Sequence, residues 1–366
     1  MTQVEVPATA QPTAFAELLE SAASPPALAV YRGVLTPPEL DAPAVELEAL
    51  TKGAAGHDLG WLRRVAVRGE DRYRWLSGMV TNMVNDLGSN SGAWNLVLNA
   101  QGRIQGDLTV WREGDSLELD IAADQYERLL GHLERFIIMD DVELVPLSGE
   151  TALGLTGPAA DAVLARVGLP TLSEAMTCTR VEWNGMDLRI AREYGASAAH
   201  YVIWAPVAQL SKLWMYLRTA GATPVGSGSL EAFRIAEGIP AYGTDIVERD
   251  LAQETSQMRA LHFSKGCYLG QEIVERIRSR GNVHKHLRQL ELDGPLPAPG
   301  VELTLEGRTV VGHITSAAEM TLSAGTRVFA LGMIRAEAEV RNEPFKYLVG
   351  TTEGTARILA ASPSFE

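Results

Sequence analysis

A mixed α+β fold of several domains, closed by an all-β domain near the C-terminal end, is what the sequence predicts. Three observations carry that reading. The chain has 366 residues, too many for one ordinary hydrophobic core. Between residues 58 and 237, strand-like alternation and helix-like spacing take turns, the pattern of mixed layers. From residue 286 onward only short apolar runs remain, separated by Gly, Pro and Ser, which reads as a small antiparallel sandwich or barrel.

Residues 1–50 hold seven of the 18 prolines, and seven acids against Arg32 alone. They read as a loosely ordered acidic Pro/Ala-rich arm with one short helix near residues 15–21, and order is expected to begin near Asp58. Residues 51–150 read as a first α+β lobe. Val65 and Val67 alternate with polar neighbours, residues 71–80 have helical spacing, and 94–99 and 104–111 are strands joined by the turn Asn99-Ala100-Gln101-Gly102. A strand at 117–121 and a helix at 126–136 follow. Residues 151–285 read as a second lobe: strands at 152–156, 181–183, 188–191 and 201–204, and helices at 159–167 and 207–217. The second of these helices aligns Leu210, Leu213, Trp214 and Leu217. A further helix from residue 228 stops at Glu237-Gly238-Ile239-Pro240, where Gly follows the last turn and Pro blocks continuation. In the last domain, 286–366, strands are expected at 287–292, 301–305, 309–315, 326–334 and 347–349.

Composition excludes several classes. No run of about 18 apolar residues exists, so no membrane-spanning helix is read. Residues 1–13 lack a basic segment followed by an apolar one, so no secretory signal is read, and the cytosol is the expected compartment. A net charge of −14 argues against a broad nucleic-acid or anionic-membrane surface. Against that background Arg276, Arg278, Arg280, Lys285 and Arg288 form a basic strip, suited to a small anionic ligand, a narrow RNA contact or a solvated helix face. The two cysteines, Cys178 and Cys267, belong to no CxxC pair, so neither a zinc centre nor a structural disulfide is expected. His284 and His286 lack a third ligand nearby, and no metal site is assigned. Cys178 reads as a small core filler.

The densest cluster of special residues is Lys265-Gly266-Cys267-Tyr268-Leu269-Gly270-Gln271-Glu272. Gly266 allows a sharp turn beside the thiol. Lys265, two residues away, and a helix starting near Gly270 both favour the thiolate. A buried, inert cysteine in a tight turn is the competing reading.

This run resembles the K-G-C-Y-x-G-Q-E signature of the YgfZ-type folate-binding proteins. The resemblance continues through Val274-Glu275-Arg276 and Arg280-Gly281, and upstream through Arg234-Ile235-Ala236-Glu237-Gly238-Ile239-Pro240. It extends to Gly69-Glu70-Asp71, Leu76 and Val80-Thr81-Asn82, and to Leu98-Asn99, Gly102-Arg103 and Asp107. It covers roughly residues 58–350 in consistent order. The resemblance implies a fold like that of the glycine-cleavage T-protein (aminomethyltransferase): several domains around a central tetrahydrofolate channel, with a C-terminal antiparallel β-barrel. It implies tetrahydrofolate, or another reduced folate, as cofactor. It also implies a role in assembling or maintaining iron–sulfur enzymes, including tRNA-modifying ones, with iron–sulfur clients or assembly proteins as partners. Cys267 and Lys265 are then the candidate catalytic residues, and Asn99, Asp107, Arg234, Gly266, Tyr268, Gln271 and Glu272 the candidate folate-binding ones. Glu254 resembles an acid that precedes the signature in the T-protein fold.

The chain departs from the T-protein pattern at two places. Where that enzyme carries two consecutive acids, Gly106-Asp107 retains only the second. Where it offers a glutamate to the pterin, the alignment sets Ala198, with Glu193 the nearest substitute. Both departures disfavour aminomethyl transfer from a lipoyl carrier. Three functions therefore stand side by side: a folate-dependent iron–sulfur maintenance factor working through Cys267, a tetrahydrofolate-dependent aminomethyltransferase or one-carbon transferase, and a non-catalytic folate-binding scaffold.

Overall fold

The computed structural model describes residues 10–20, 24–281, 283–305 and 309–365. The chain divides into two compact units. One comprises residues up to 76, 84–94 and 108–230, and the other residues 77–83, 95–107 and 231 onward.

An eleven-stranded sheet runs through the first unit, with residues 95–98 and 104–107 of its strands assigned to the second. Its spatial order is Thr223–Val225, Ala55–Asp58, Glu150–Thr156, His200–Pro206, Met186–Glu193, Thr177–Trp183, Ser91–Leu98, Ile104–Glu113, Ser116–Ala122, Leu62–Arg68 and Glu143–Leu147. The pairing of Thr223–Val225 with Ala55–Asp58 is parallel. Helices Ala160–Val167 and Leu210–Thr219 cover one face, burying Val163, Leu164, Leu213 and Leu217 in a core with Ile190, Tyr201 and Ile203.

Order begins before Asp58, earlier than expected, and the short helix expected near residues 15–21 is present. Helix Ala14–Glu20 buries Phe15 completely, edge-on to Trp214 with ring centroids 4.8 Å apart. Pro43 opens helix Pro43–Thr51, because a first-turn proline has no N–H that the helix would need. Glu46 is fully buried, and its Oε1 accepts the backbone N–H groups of Leu40, Asp41 and Gly226. One buried acid thus fastens two segments, 40–41 and Gly226, through three backbone N–H groups.

Asp58 ties the first helix to the sheet. Thr13 donates its hydroxyl to Asp58, Gly60 N–H donates to Oδ1 at 2.7 Å, and Thr13 Oγ1 accepts from Ala16 N–H at 3.0 Å. Burial pushes the Asp58 carboxyl up to about 6 despite these bonds. The folded state therefore holds this proton more tightly than the unfolded state. The resulting stability is present below the ordinary value of 3.8 and is lost as pH rises through about 6. Urea titrations of the natural chain and Asp58→Asn at pH 4 and pH 7 should show the natural chain losing on the order of 2–3 kcal/mol relative to the variant. A pH-independent difference would refute the assignment.

The same unit buries a charged cluster. Arg189 has no exposed side chain; it donates to Glu113 and, at 3.3 Å, to Asp120, and lies 4.8 Å from the Trp111 ring centroid. Arg64 pairs with Glu118 and Glu150 and sits 5.1 Å from the Trp204 ring centroid. The acids hold the Arg189 guanidinium charged against the cost of burial. Cys178 lies in the apolar cluster with Trp111 and Trp204, and burial pushes its thiol up to about 12. It is a core side chain with no thiolate at neutral pH.

The second unit closes on an antiparallel barrel of six strands: Lys285–Asp293, Gly325–Arg335, Thr309–Leu322, Glu302–Leu305, Phe345–Val349 and Thr352–Ile358. The barrel expected from the sequence is present. Its closing strand, Thr352–Ile358, pairs with both Phe345–Val349 and Lys285–Asp293. Leu290, Leu303, Ile314, Ala330, Phe345 and Tyr347 fill the interior. Among the described residues no helix is long and apolar enough to cross a membrane.

Candidate functional site

The residues singled out in 265–272 all lie in the second unit, as do Asn99, Asp107 and Arg234. Cys267 is exposed and free. It lies on a loop between Ala260 and helix Gln271–Arg280, and that loop is fastened from both sides. Before the thiol, Lys265 Nζ donates to the carbonyls of Val80 and Asn82, each at 2.6 Å. Thr81 Oγ1 donates to Ala260 O at 2.6 Å, and Asn82 Nδ2 to Arg259 O at 2.8 Å. After the thiol, Leu269 N–H donates to Gly78 O at 2.9 Å. The Val80-Thr81-Asn82 segment and the cysteine loop are thus one hydrogen-bonded assembly.

Lys265 and Gly266 take parts that the sequence did not suggest. The Lys265 ammonium is committed to two carbonyls and lies 5.1 Å from the centre of the Tyr268 ring. Burial pushes it down to about 7, while the carbonyls and the ring face favour the charged form. Gly266 is not the tight turn. Its φ lies outside the left-handed region, and a Cβ built on it would meet nothing within 4 Å. The strained position is Gly270, with φ +83°, where a Cβ would come within 2.6 Å of Asn99 O.

That contact explains the partnership between two distant motifs. Asn99 Oδ1 accepts the N–H groups of Gln101 and Arg103, each at 3.0 Å, and Gly102 N–H donates to Asn99 O. The side chain of Asn99 therefore builds the hairpin turn. Gly102 (φ +71°) faces Ile273, whose Cβ would lie 2.7 Å from an added Cβ. Bare backbone at Gly270 and Gly102 lets the turn seat on the start of the helix.

Arg234 is held in a buried network. It donates to both carboxylate oxygens of Glu231, to Ile239 O at 2.5 Å and to Asp245 Oδ2 at 2.7 Å. Asp245, 1 % exposed, also accepts from Ala241 N–H at 3.0 Å, Thr315 Oγ1 at 2.6 Å and Ser316 Oγ at 2.7 Å. Successive strand residues normally point to opposite faces. The register shift between Ile314 and Ser316 lets both hydroxyls reach one carboxylate.

The remaining candidates are spread around this frame. Tyr268 is buried, its phenol pushed up to about 12 by burial and then by Glu275. Gln271 Oε1 accepts Tyr268 N–H at 3.3 Å, and Glu272 is exposed in the first helical turn. Asp107 is half-buried on strand Ile104–Glu113. Glu254 Oε2 accepts Leu251 N–H at 2.9 Å. Of the basic strip, Lys285 pairs with Asp250 at 2.6 Å, Arg288 with Glu339 at 2.7 Å and Arg278 with Glu275 at 3.5 Å. His286 Nδ1 lies 2.9 Å from the same Glu339. Asp245 was not singled out from the sequence. Its only local signal is the Tyr242-Gly243-Thr244-Asp245 run after the helix stop, and its hydroxyl partners lie 70 residues on.

The chain superposes on the crystal structure of glycine cleavage system aminomethyltransferase T from Bartonella henselae with a TM-score of 0.84, at 18 % identity, covering 98 % of this chain and 100 % of that one. It has a T-protein-like fold with a closed C-terminal barrel. Residues 10–265 match the GCVT N-terminal domain, and the chain belongs to that family. Its relatives include a chloroplastic putative transferase of Arabidopsis thaliana, 25 % identical over 80 % of this chain and 68 % of that protein. An aminomethyltransferase of Rubrobacter xylanophilus is 29 % identical over 68 % of each chain. Another, from Thermoanaerobacter sp., is 22 % identical over 87 % of this chain and 91 % of its own.

Proposed function

We propose that the protein binds tetrahydrofolate and acts as a one-carbon transferase of the aminomethyltransferase kind. Membership of the GCVT family over residues 10–265 is the observation that carries this reading, and the relatives named aminomethyltransferase support it. They weigh towards transfer, which the two departures in the sequence disfavour. A pterin presents N–H donors that a carboxylate accepts. The half-buried Asp107 suits that task, and we assign it as the folate-orienting acid. Arg234 is not assigned to folate, because its donors are taken by Glu231, Ile239 and Asp245. Bound tetrahydrofolate would supply the one-carbon acceptor. The chain's own part is to hold and orient it.

A second reading keeps the YgfZ-type role in iron–sulfur maintenance, because Cys267 is exposed on a loop fastened on both sides. A cytosolic setting suits its free thiol.

Calorimetric titration of tetrahydrofolate into the natural chain, Asp107→Ala and Cys267→Ala tests both readings. The natural chain and Cys267→Ala should bind alike. Asp107→Ala should bind about tenfold or more weakly, the cost of one charge-assisted hydrogen bond. No binding by the natural chain would overturn the folate reading. Iron–sulfur enzyme activity in cells carrying Cys267→Ala decides the second reading: a collapse with folate binding intact supports it, and unchanged activity refutes it.

A further inference from the structure

The barrel unit carries a cleft of about 410 Å³ that the folate reading does not use, walled by Arg249, Lys285, Glu302, His313, Met333 and Arg335 among others. Its charges are arranged at a cost. Lys285 and Arg335 are direct partners in the ladder between strands Lys285–Asp293 and Gly325–Arg335. Like charges facing each other across an antiparallel pair are destabilising. Lys285 escapes by turning to Asp250 at 2.6 Å and Glu254 at 3.7 Å. Among the described residues Arg335 pairs with Glu337 alone, at 3.7 Å, with 56 % and 77 % of the two side chains exposed, a pairing worth little. Arg249 is exposed, and among the described residues its guanidinium has neither a hydrogen bond nor an ion pair. His313 is half-buried, and its ring likewise has no partner among the described residues.

Glu302 sits opposite His313 in the ladder. Burial lowers the His313 pKa, Arg249 and Lys285 lower it further, and only Asp250 opposes them. The ring therefore feels net positive charge, on a chain of net charge −14. The buried Val311 and Met333 also line the cleft.

We propose that this cleft binds a small anion, a phosphate or a carboxylate, between Arg249, His313 and Arg335. Two guanidinium forks match the paired oxygens of either group, and the imidazole adds a donor from the barrel wall.

The test uses the full chain and histidine-ring NMR at constant ionic strength. Inorganic phosphate and glutarate are titrated separately, with chloride as reference. The His313 ring signal should shift and saturate with at least one of the two. Saturation by phosphate alone marks an oxyanion site, and by glutarate alone a dicarboxylate site. Arg249→Ala and Arg335→Ala should each weaken binding about tenfold. The His286 signal, held by Glu339, should stay in place in both variants and report an intact barrel. A His313 signal that moves with neither anion would overturn the proposal. So would a shift that chloride reproduces, or one that survives both arginine substitutions.

Discussion

Asp245→Ala is expected to destabilise the second unit by about 3–5 kcal/mol, the usual cost of stranding one partner of a buried charge pair. The substitution leaves Arg234 with an uncompensated donor beside Glu231, strips the acceptor from Ser316, and leaves Thr315 only Leu331 O at 3.0 Å. It also frees Ala241 N–H, which Asp245 holds in the turn after Gly238. Peptide-resolved hydrogen exchange is the informative measurement. Protection should fall first in helix Ser227–Ala236, the 239–246 turn and the bulged part of strand Thr309–Leu322. Asp245→Asn, which keeps the shape and part of the hydrogen bonding, should lose less. Protection unchanged in Asp245→Ala would mean that the hub contributes nothing the barrel does not already supply.

Gly270→Ala is expected to cost about 2–5 kcal/mol. An L side chain in the left-handed region costs roughly 1–2 kcal/mol, and overlap with a backbone oxygen adds about 1–3 kcal/mol. The oxygen is Asn99 O, fixed by the hairpin turn it closes, so it cannot swing aside as a flexible side chain would. Relief must come from lifting the helix start off the turn, which loosens the loop bearing Cys267. Gly266→Ala, four residues earlier, is the control. Its Cβ would meet nothing within 4 Å, and the change should stay within about 0.5 kcal/mol. Denaturant titration of the two variants checks the contrast, and equal losses would show that the motif tolerates no side chain at either glycine. Labelling of Cys267 by a thiol reagent should change rate in Gly270→Ala only.

These two positions also show what could be read before any coordinates. The barrel was legible because short apolar runs cut by Gly and Pro admit few other folds, and the helix stop at Gly238 (φ +73°) was legible from Gly followed by Pro. The special character of residues 265–272 was legible from residue types, but the division of labour between its glycines was not. That depends on Asn99 O approaching from a hairpin more than 160 residues upstream. Lys265 illustrates the same limit. Nearness in sequence suggested a lysine serving the thiol, whereas the nearest carbonyls in space belong to Val80 and Asn82. In the acidic first 50 residues, composition misled. Proline and alanine suggested loose chain around one short helix near residues 15–21; that helix is present, but Pro43 begins a second and Phe15 fills a slot beside Trp214. Composition averages over positions, and these two side chains act through single sites.

The order of the large sheet has a further consequence, for association between molecules. Its two outermost strands are Thr223–Val225 and Glu143–Leu147, and each contains a proline, Pro224 and Pro146. An outermost strand offers unpaired N–H and C=O groups on which another chain can grow, and proline removes a donor from that row. The other large set of strands is a closed barrel with no outermost member. Replacing Pro146 or Pro224 with a β-branched residue would restore a donor to the margin of the sheet. Concentrated or heat-stressed preparations of such a variant are where strand-mediated aggregation would first appear.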